Sequence, residues 1–245
     1  MKAMIFAAGL GTRLKPYTET MPKALVPVAG TPMLEILIKH LILNGITDII
    51  VNVHHFSEQV IGFLNQNNSF GANITISNEA DLLLDTGGGL KKAAWFFNDQ
   101  QPFLVQNVDV ISNINYSDLL ETHNKNKTLA TLAVSRRKTS RQFLFDSSMQ
   151  LCGWENSSSQ ELRMAHPKSE NLERFAFSGI HILDPAIFNL MHQQGKFSII
   201  DSYLETASTQ KIIGYVHDPE YWVDMGKPEE LLKVGYLLKT LKYNI

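Results

Sequence analysis

Near its start the chain reads Ala3-Met4-Ile5-Phe6-Ala7-Ala8-Gly9-Leu10-Gly11-Thr12-Arg13, a short apolar run followed by a glycine-rich, basic segment. The apolar run over residues 3–8 is too short for a signal sequence and predicts a buried β-strand. Two glycines two residues apart let the backbone approach a ligand closely, and their N–H groups can point at phosphate oxygens. Because open α/β sheets bind ligands at the carboxyl ends of their strands, this segment predicts an anion-binding loop at that edge.

Downstream, β-rich runs alternate with helical patterns, which is typical of βαβ units around a parallel sheet covered on both faces. The predicted strands are 48–53, 72–77, 103–108 and 129–135, and the predicted helices are 32–43, 58–65, 89–97 and 116–124. After residue 136 the pattern predicts added strands at 142–145, 150–154, 175–183 and 211–216, a mobile polar loop at 156–160 and a helix from Pro228. We expect an α/β fold in a single domain over residues 1–245.

Composition and charge narrow the class of protein. The chain has 245 residues, 44% of them apolar, and a formal net charge of −2, so no overall field attracts nucleic acid or an anionic membrane. No apolar stretch is long enough for a transmembrane helix, and the single cysteine, Cys152, forms no internal disulfide. We expect a cytoplasmic protein without nucleic-acid or membrane partners, and the sequence does not predict its oligomeric state.

The long loop from Gly9 to Thr31 is the next indication of a binding site, because loops of this length inside domains are usually functional. It contains Lys23 directly after a proline, where the apolar run behind it can anchor the lysine. A dinucleotide site is disfavoured because Leu14 stands where the third glycine of its fingerprint is required. A P-loop is excluded because no Gly-Lys-Ser/Thr follows.

This loop resembles the signature of the sugar-1-phosphate nucleotidyltransferases, on the pattern Gly9-x-Gly11-Thr12-Arg13-Leu14-x-Pro16-x-Thr18-x-x-x-Pro22-Lys23-x-Leu25-Val26-Pro27-Val28. The resemblance implies a Rossmann-like three-layer α/β/α sandwich with a mostly parallel central sheet. It also implies catalytic roles for Arg13 and Lys23 on a nucleoside triphosphate and a sugar 1-phosphate. The implied nucleotide-binding residues of this loop are Ala8, Gly9, Gly11 and Thr12. The same resemblance implies a nucleotide-binding half over about 1–110 and a sugar-binding half over about 111–245.

The segment Asp85-Thr86-Gly87-Gly88-Gly89 resembles the family's nucleotide-contacting glycine turn. Three glycines in a row would give a flat surface on which a base can stack, at a helix N-terminus that favours negative charge. We therefore expect Thr86, Gly87 and Gly88 to bind nucleotide. Glu79, just upstream, is a further nucleotide-binding candidate as a hydrogen-bond acceptor for the base.

Two aspartates match the family's metal positions. Asp109 ends the predicted strand 103–108, and Asp224 lies in Trp222-Val223-Asp224-Met225-Gly226. One or two carboxylates with phosphate oxygens suit Mg²⁺, which is the cofactor that the resemblance implies. Val108 stands where the family has glycine, and a branched side chain there would crowd the ribose or the metal.

The sugar-binding residues implied by the resemblance are Gly179 and Trp222. Together with the glycine segment, they are most similar to enzymes that join UTP to N-acetylmuramate 1-phosphate. GTP with mannose or heptose 1-phosphate is the alternative. A non-catalytic nucleotide-sugar sensor of the same fold, supported by Val108, remains a second alternative, and an NAD-dependent oxidoreductase is a weaker third.

Overall fold

A ten-stranded mixed sheet forms the centre of the computed structural model, which describes residues 1–166, 171–218, 222–231, 234 and 238. The strands in the described residues are β1 (Ala3–Phe6), β2 (Pro27–Val28), β3 (Thr31–Pro32), β4 (Asp48–Val53), β5 (Asn73–Asn78), β6 (Phe103–Asn107), β7 (Val110–Ser112), β8 (Ala130–Ser135), β9 (Arg141–Phe145), β10 (Leu151–Asn156), β11 (Glu161–Met164), β12 (Glu173–Leu183), β13 (Ile212–Val216) and β14 (Trp222–Asp224). The helices are α1 (Met33–Leu43), α2 (Ser57–Gln66), α3 (Asp85–Lys92), α4 (Tyr116–Asn126), α5 (Ile187–Leu190) and α6 (Ile199–Ala207), and residues 228–231 are also helical.

The sheet is parallel where the sequence alternates strands with helices. Strands β5, β4, β1 and β6 lie side by side in parallel, as predicted. Strand β12 then runs antiparallel to β6, and β9, β10 and β11 continue the sheet as antiparallel neighbours. Strand β8 also pairs with β12, and β13 lies parallel to β8. The carboxyl ends of β1, β6 and β8 therefore point to the same edge.

Helices cover both faces of this sheet. Successive residues of β1 alternate between two apolar clusters, with Ile5 in one and Met4 in the other. The first cluster contains buried residues of α1, α2 and α4, whereas the second contains those of α3, α5 and α6. The three-layer α/β/α arrangement is thus confirmed. Among the described residues, no helix is long and apolar enough to cross a membrane.

Several elements differ from the sequence prediction. The polar stretch 156–160, predicted to be a mobile loop, forms the turn between β10 and β11. The prediction also missed β7, β11, α5 and α6. Helix α6 does carry a local signal, since Ser198 and Asp201 form a capping box at its start.

Helix α3 begins at Asp85 rather than at Gly89, so the three glycines lie within the helix and not in a turn before it. Gly87 and Gly88 are buried inside the helix, and the backbone N–H groups of both donate to the carbonyl oxygen of Phe197, at 2.9 and 3.3 Å. A side chain at Gly87 would overlap the ring of Phe197, and one at Gly88 would overlap the carbonyl oxygen of Gly195. These glycines allow the segment before α6 to pack against α3.

Two matched glycine substitutions test this packing. We expect Gly88→Ala to lower the free energy of unfolding by about 1–3 kcal/mol, because backbone must shift to admit the methyl group. Gly62→Ala in α2 is the control. It has no atom within 4 Å of the added carbon and gains up to about 1 kcal/mol from helix propensity. Urea unfolding measures both, and equal stabilities for the two variants would contradict the packing role.

Candidate active site

A cavity of about 550 Å³ opens at the carboxyl ends of β1 and β6. Its walls come from both halves of the chain, because β12 and β14 contribute beside the loop after β1. Of the residues predicted from the sequence, those that line it are Ala8, Gly9, Gly11, Thr12, Arg13, Lys23, Glu79, Thr86, Asp109, Gly179, Trp222 and Asp224. Gly87 and Gly88 do not line it, since they are packed against the segment before α6.

The long loop after β1 is ordered by short helical turns at 12–14, 17–19 and 23–25 and by the hairpin of β2 and β3. Gly11 has a φ of +62°, which favours glycine, and an added Cβ would lie 2.8 Å from Cβ of Lys23. The Thr18 hydroxyl donates to the carbonyl oxygen of Gly11 at 2.9 Å. These contacts bring Lys23 against the glycine segment.

Backbone donors of this loop lie beside the cavity, since Leu10 and Gly11 line it. Among the described residues, the N–H groups of Leu10 and Gly11 have no protein acceptor. N–H groups that converge on one side of a tight loop form a concavity for anions. The loop can therefore accept a phosphate through its backbone.

Four charged side chains form two pairs on the cavity wall. The Lys23 ammonium donates to Oδ2 of Asp109, and the Arg13 guanidinium donates to Oδ2 of Asp224 at 3.2 Å. The first pair is largely buried and the second lies at the cavity mouth. Strand β14 pairs with β7 in a register that places Asp224 opposite Val110, so both carboxylates come to one point.

Gly226 lies where the Asp109 and Asp224 carboxylates come together. A Cβ at this position would lie 2.5 Å from Oδ2 of Asp109, 2.9 Å from Oδ1 of Asp224 and 2.9 Å from a guanidinium nitrogen of Arg13. Its own N–H donates to Oδ1 of Asp224 at 3.0 Å. Because nothing larger than a hydrogen fits there, the two carboxylates can approach each other.

The electrostatics of the two carboxylates differ. Burial raises the pKa of Asp109, and the negative charge of Asp224 adds to that rise while the Lys23 ammonium opposes it. For Asp224, burial acts to raise the pKa, but the hydrogen bond with Asp109 and the charge of Arg13 outweigh it and lower the pKa. A divalent cation relieves such repulsion between neighbouring carboxylates. The described residues include no group of three or more metal-ligating side chains, so such an ion would need phosphate or water oxygens as well.

At another wall of the cavity, a buried amide–carboxylate network holds the loop after β1. The Asn52 side chain accepts from the backbone N–H of Ala7 and donates to Oε1 of Glu79, both at 2.7 Å. Oε2 of Glu79 accepts from the backbone N–H of Leu84 at 3.0 Å. Burial raises the pKa of Glu79, although these hydrogen bonds act to lower it. Glu79 therefore braces the site in addition to lining it.

The opposite wall contains Gly179 and Trp222. Gly179 has a φ of +72° at an irregularity in β12, and an added Cβ would lie 2.7 Å from the side-chain nitrogen of Asn107. The Trp222 indole N–H donates to the carbonyl oxygen of Ser178 at 2.8 Å. The guanidinium carbon of Arg137 lies 3.9 Å from the centre of the Trp222 ring, so one ring face is covered.

Sequence reasoning missed Arg137, Asn52 and Asn107, which also line the cavity. Arg137 follows β8, whose carboxyl end lies at the same sheet edge as those of β1 and β6. The rule that strand ends carry ligand contacts would have identified it. Val108, the departure from the family pattern, borders the cavity, but it is only 1% exposed and belongs to the core cluster of α1, α2 and α4.

The sequence and the fold of the chain are similar to those of several known proteins. The chain is similar to a mannose-1-phosphate guanyltransferase of Yarrowia lipolytica, with 30% identity over 95% of this chain and 62% of that protein. It is 38% identical to an N-acetylmuramate α-1-phosphate uridylyltransferase of Neisseria meningitidis serogroup B over 50% of this chain and 52% of the relative. Its fold matches that of HddC from Yersinia pseudotuberculosis, crystallised with GMP-PN, with a TM-score of 0.74 at 23% identity over 95% of this chain and 96% of that chain.

The chain thus spans about three fifths of the length of the guanyltransferase, while its fold covers nearly all of the bacterial neighbour. The family model described as nucleotidyl transferase matches residues 2–240, which include every charged residue of the cavity. The chain belongs to the nucleotidyl transferase family.

Proposed function

We propose that this protein transfers a nucleotidyl group from a nucleoside triphosphate to a sugar 1-phosphate and releases pyrophosphate. The observation that carries the proposal is the convergence of the Lys23–Asp109 and Arg13–Asp224 pairs around Gly226, beside a glycine loop with free backbone donors. That wall offers cations and N–H groups to phosphates and two carboxylates to a metal ion. A cavity of this volume is in the usual range for small-molecule sites.

The proposed chemistry is a single displacement at the α-phosphorus. An oxygen of the sugar phosphate forms a bond to that phosphorus, the bond to the bridging oxygen breaks, and pyrophosphate leaves with the electron pair. No general base is needed, because the attacking phosphate is already ionised. Arg13 and Lys23 hold the two anions together and stabilise the charge that develops on the phosphoryl oxygens.

Asp109 and Asp224 are the residues that we propose would hold Mg²⁺. When bound, the ion would supply charge neutralisation for the triphosphate. Meanwhile the two aspartates keep Lys23 and Arg13 in place in the free protein, since each cation already has a carboxylate partner. The cations are therefore positioned before the phosphates arrive.

For the substrates, we propose UTP with N-acetylmuramate 1-phosphate. The likeness to the Neisseria uridylyltransferase supports this pair. GTP with mannose or heptose 1-phosphate is the alternative, supported by the likeness to the Yarrowia guanyltransferase and by the buried Glu79 carboxylate. Guanine presents two adjacent N–H donors to such a carboxylate, whereas uracil presents one.

Pyrophosphate release tests the transfer chemistry. With Mg²⁺ and a panel of nucleoside triphosphates and sugar 1-phosphates, we expect turnover that falls at least about 100-fold in Asp109→Asn and in Lys23→Ala, since each loses one electrostatic contact of the reacting phosphates. Lys15→Ala, in the same loop but exposed and outside the cavity, is the matched control and should stay within about twofold of the wild type. If neither the wild type nor Lys15→Ala releases pyrophosphate with any pair of the panel, the proposal is overturned.

Val108→Gly separates the enzyme from a non-catalytic sensor. Because Val108 is buried in the core, we expect the variant to lose roughly 2–4 kcal/mol of stability without any gain in kcat. Thermal unfolding and pyrophosphate release measure the two quantities. Turnover that appears only in the glycine variant would indicate that Val108 blocks the site, as the sensor hypothesis requires.

The substrate pair is tested by kcat/KM over the same panel. We expect UTP with N-acetylmuramate 1-phosphate to exceed every other pair by at least about tenfold, a difference of roughly 1.4 kcal/mol in transition-state binding. A higher value for GTP with mannose or heptose 1-phosphate would establish the alternative pair, and the transfer chemistry would still hold.

A further inference from the structure

Within the residues that the structure describes, Arg137 differs from Arg13 and Lys23 in having no carboxylate partner. Among the described residues, no acidic oxygen lies within 4.0 Å of its guanidinium, whereas Arg13 and Lys23 each form an ion pair. Its Nε is buried and has no hydrogen-bond partner in that part of the chain. A buried donor without a partner is costly, so its position calls for an explanation.

The surroundings of Arg137 hold the guanidinium in one orientation. It stacks on Trp222 and donates one hydrogen bond to the carbonyl oxygen of Phe177. Trp222 is fixed in turn by its hydrogen bond to Ser178, whose hydroxyl lies 2.7 Å from Nε2 of His217. A planar cation that lines the cavity, is held on a rigid ring and has no carboxylate partner among the described residues can donate to a phosphate oxygen.

The position of Arg137 in the cavity indicates which substrate's phosphate group it contacts. Trp222 and Asp224 lie two residues apart on β14 and therefore on the same face of that strand. Arg137 thus lies beside the proposed metal carboxylate, at the wall that also contains Gly179. The glycine loop with Arg13 and Lys23 forms the other wall, where the nucleotide phosphates would bind. Within the described part of the chain, Lys196 is the other cation of the cavity without an ion pair, but it is exposed and stays hydrated.

We propose that Arg137 binds the phosphate group of the sugar 1-phosphate through its guanidinium group. This inference rests on the proposed function. In this proposal, the residue that recognises the negative charge of the sugar 1-phosphate lies outside the Gly9–Lys23 segment. The stacked pair of Arg137 and Trp222 then orients the attacking phosphate toward the α-phosphorus.

Equilibrium binding tests the assignment without requiring turnover. Calorimetry compares N-acetylmuramate, mannose and heptose 1-phosphates with the same sugars lacking phosphate, and with UTP and GTP. We expect Arg137→Ala to weaken binding of a sugar 1-phosphate about 10- to 100-fold and to leave binding of the bare sugar and of the nucleotides within about twofold. Arg137→Lys should recover only part of the loss, since an ammonium lacks the fork.

Arg136→Ala is the matched control, because Arg136 is adjacent, stacks on Phe175 and already pairs with Glu173 outside the cavity. It should bind every ligand as the wild type does. Equal losses for phosphorylated and bare sugars in Arg137→Ala, a loss of nucleotide binding, or no loss at all would overturn the assignment. So would a wild type that binds no sugar 1-phosphate of the panel.

Steady-state kinetics give a second readout that separates the two proposals. If the wild type is active, Arg137→Ala should raise KM for the sugar 1-phosphate by about the same factor by which it weakens binding of that ligand. KM for the nucleotide should stay unchanged. A wild type that binds sugar 1-phosphate through Arg137 but releases no pyrophosphate would overturn the proposed function alone. Thermal unfolding of the variants shows whether each one folds.

Discussion

The meeting of two aspartates with two cations around Gly226 is the constraint on which the rest of the site depends. Lys23 and Asp109 are 86 residues apart in the chain, and Arg13 and Asp224 are 211 apart. Their contact requires β1 and β6 to end at the same level, the long loop to fold back, and β14 to pair with β7. The backbone N–H of Met225 fixes that last segment, since it donates to the carbonyl oxygen of Asp109 at 2.7 Å.

This arrangement also resolves an energetic difficulty. Burying a carboxylate without a partner costs a large free energy, and burying two adjacent carboxylates costs more because their negative charges repel each other. In the free protein the cations compensate the aspartates. In the proposed complex, phosphates and Mg²⁺ would exchange partners with them, so that every charge stays paired throughout. The same four side chains can thereby serve folding and binding, which explains why so much charge is tolerated at one edge of an apolar sheet.

The sequence predicted those parts of the molecule that local chemistry determines. The strand at 3–6 and the position of Asp109 at the end of a strand follow from the local sequence, whereas the roles of Lys23 and Asp224 are what the resemblance to the family implies. The packing of Gly87 and Gly88 could not be predicted, because their partner, Phe197, is more than a hundred residues away. Arg137, by contrast, follows β8, a strand that the sequence predicts, so the strand-end rule could have placed it at this edge. Long-range packing decided only the position of the glycines.

The central claim is that one direct displacement at the α-phosphorus takes place between two substrates held at this edge. The stereochemical course of the reaction tests it most directly, using a nucleoside triphosphate made chiral at the α-phosphorus by one sulfur atom. A single in-line displacement inverts the configuration in the nucleotide-sugar product, which is the result that the account predicts. Retention would require two displacements and a covalent nucleotidyl-enzyme, and would contradict it.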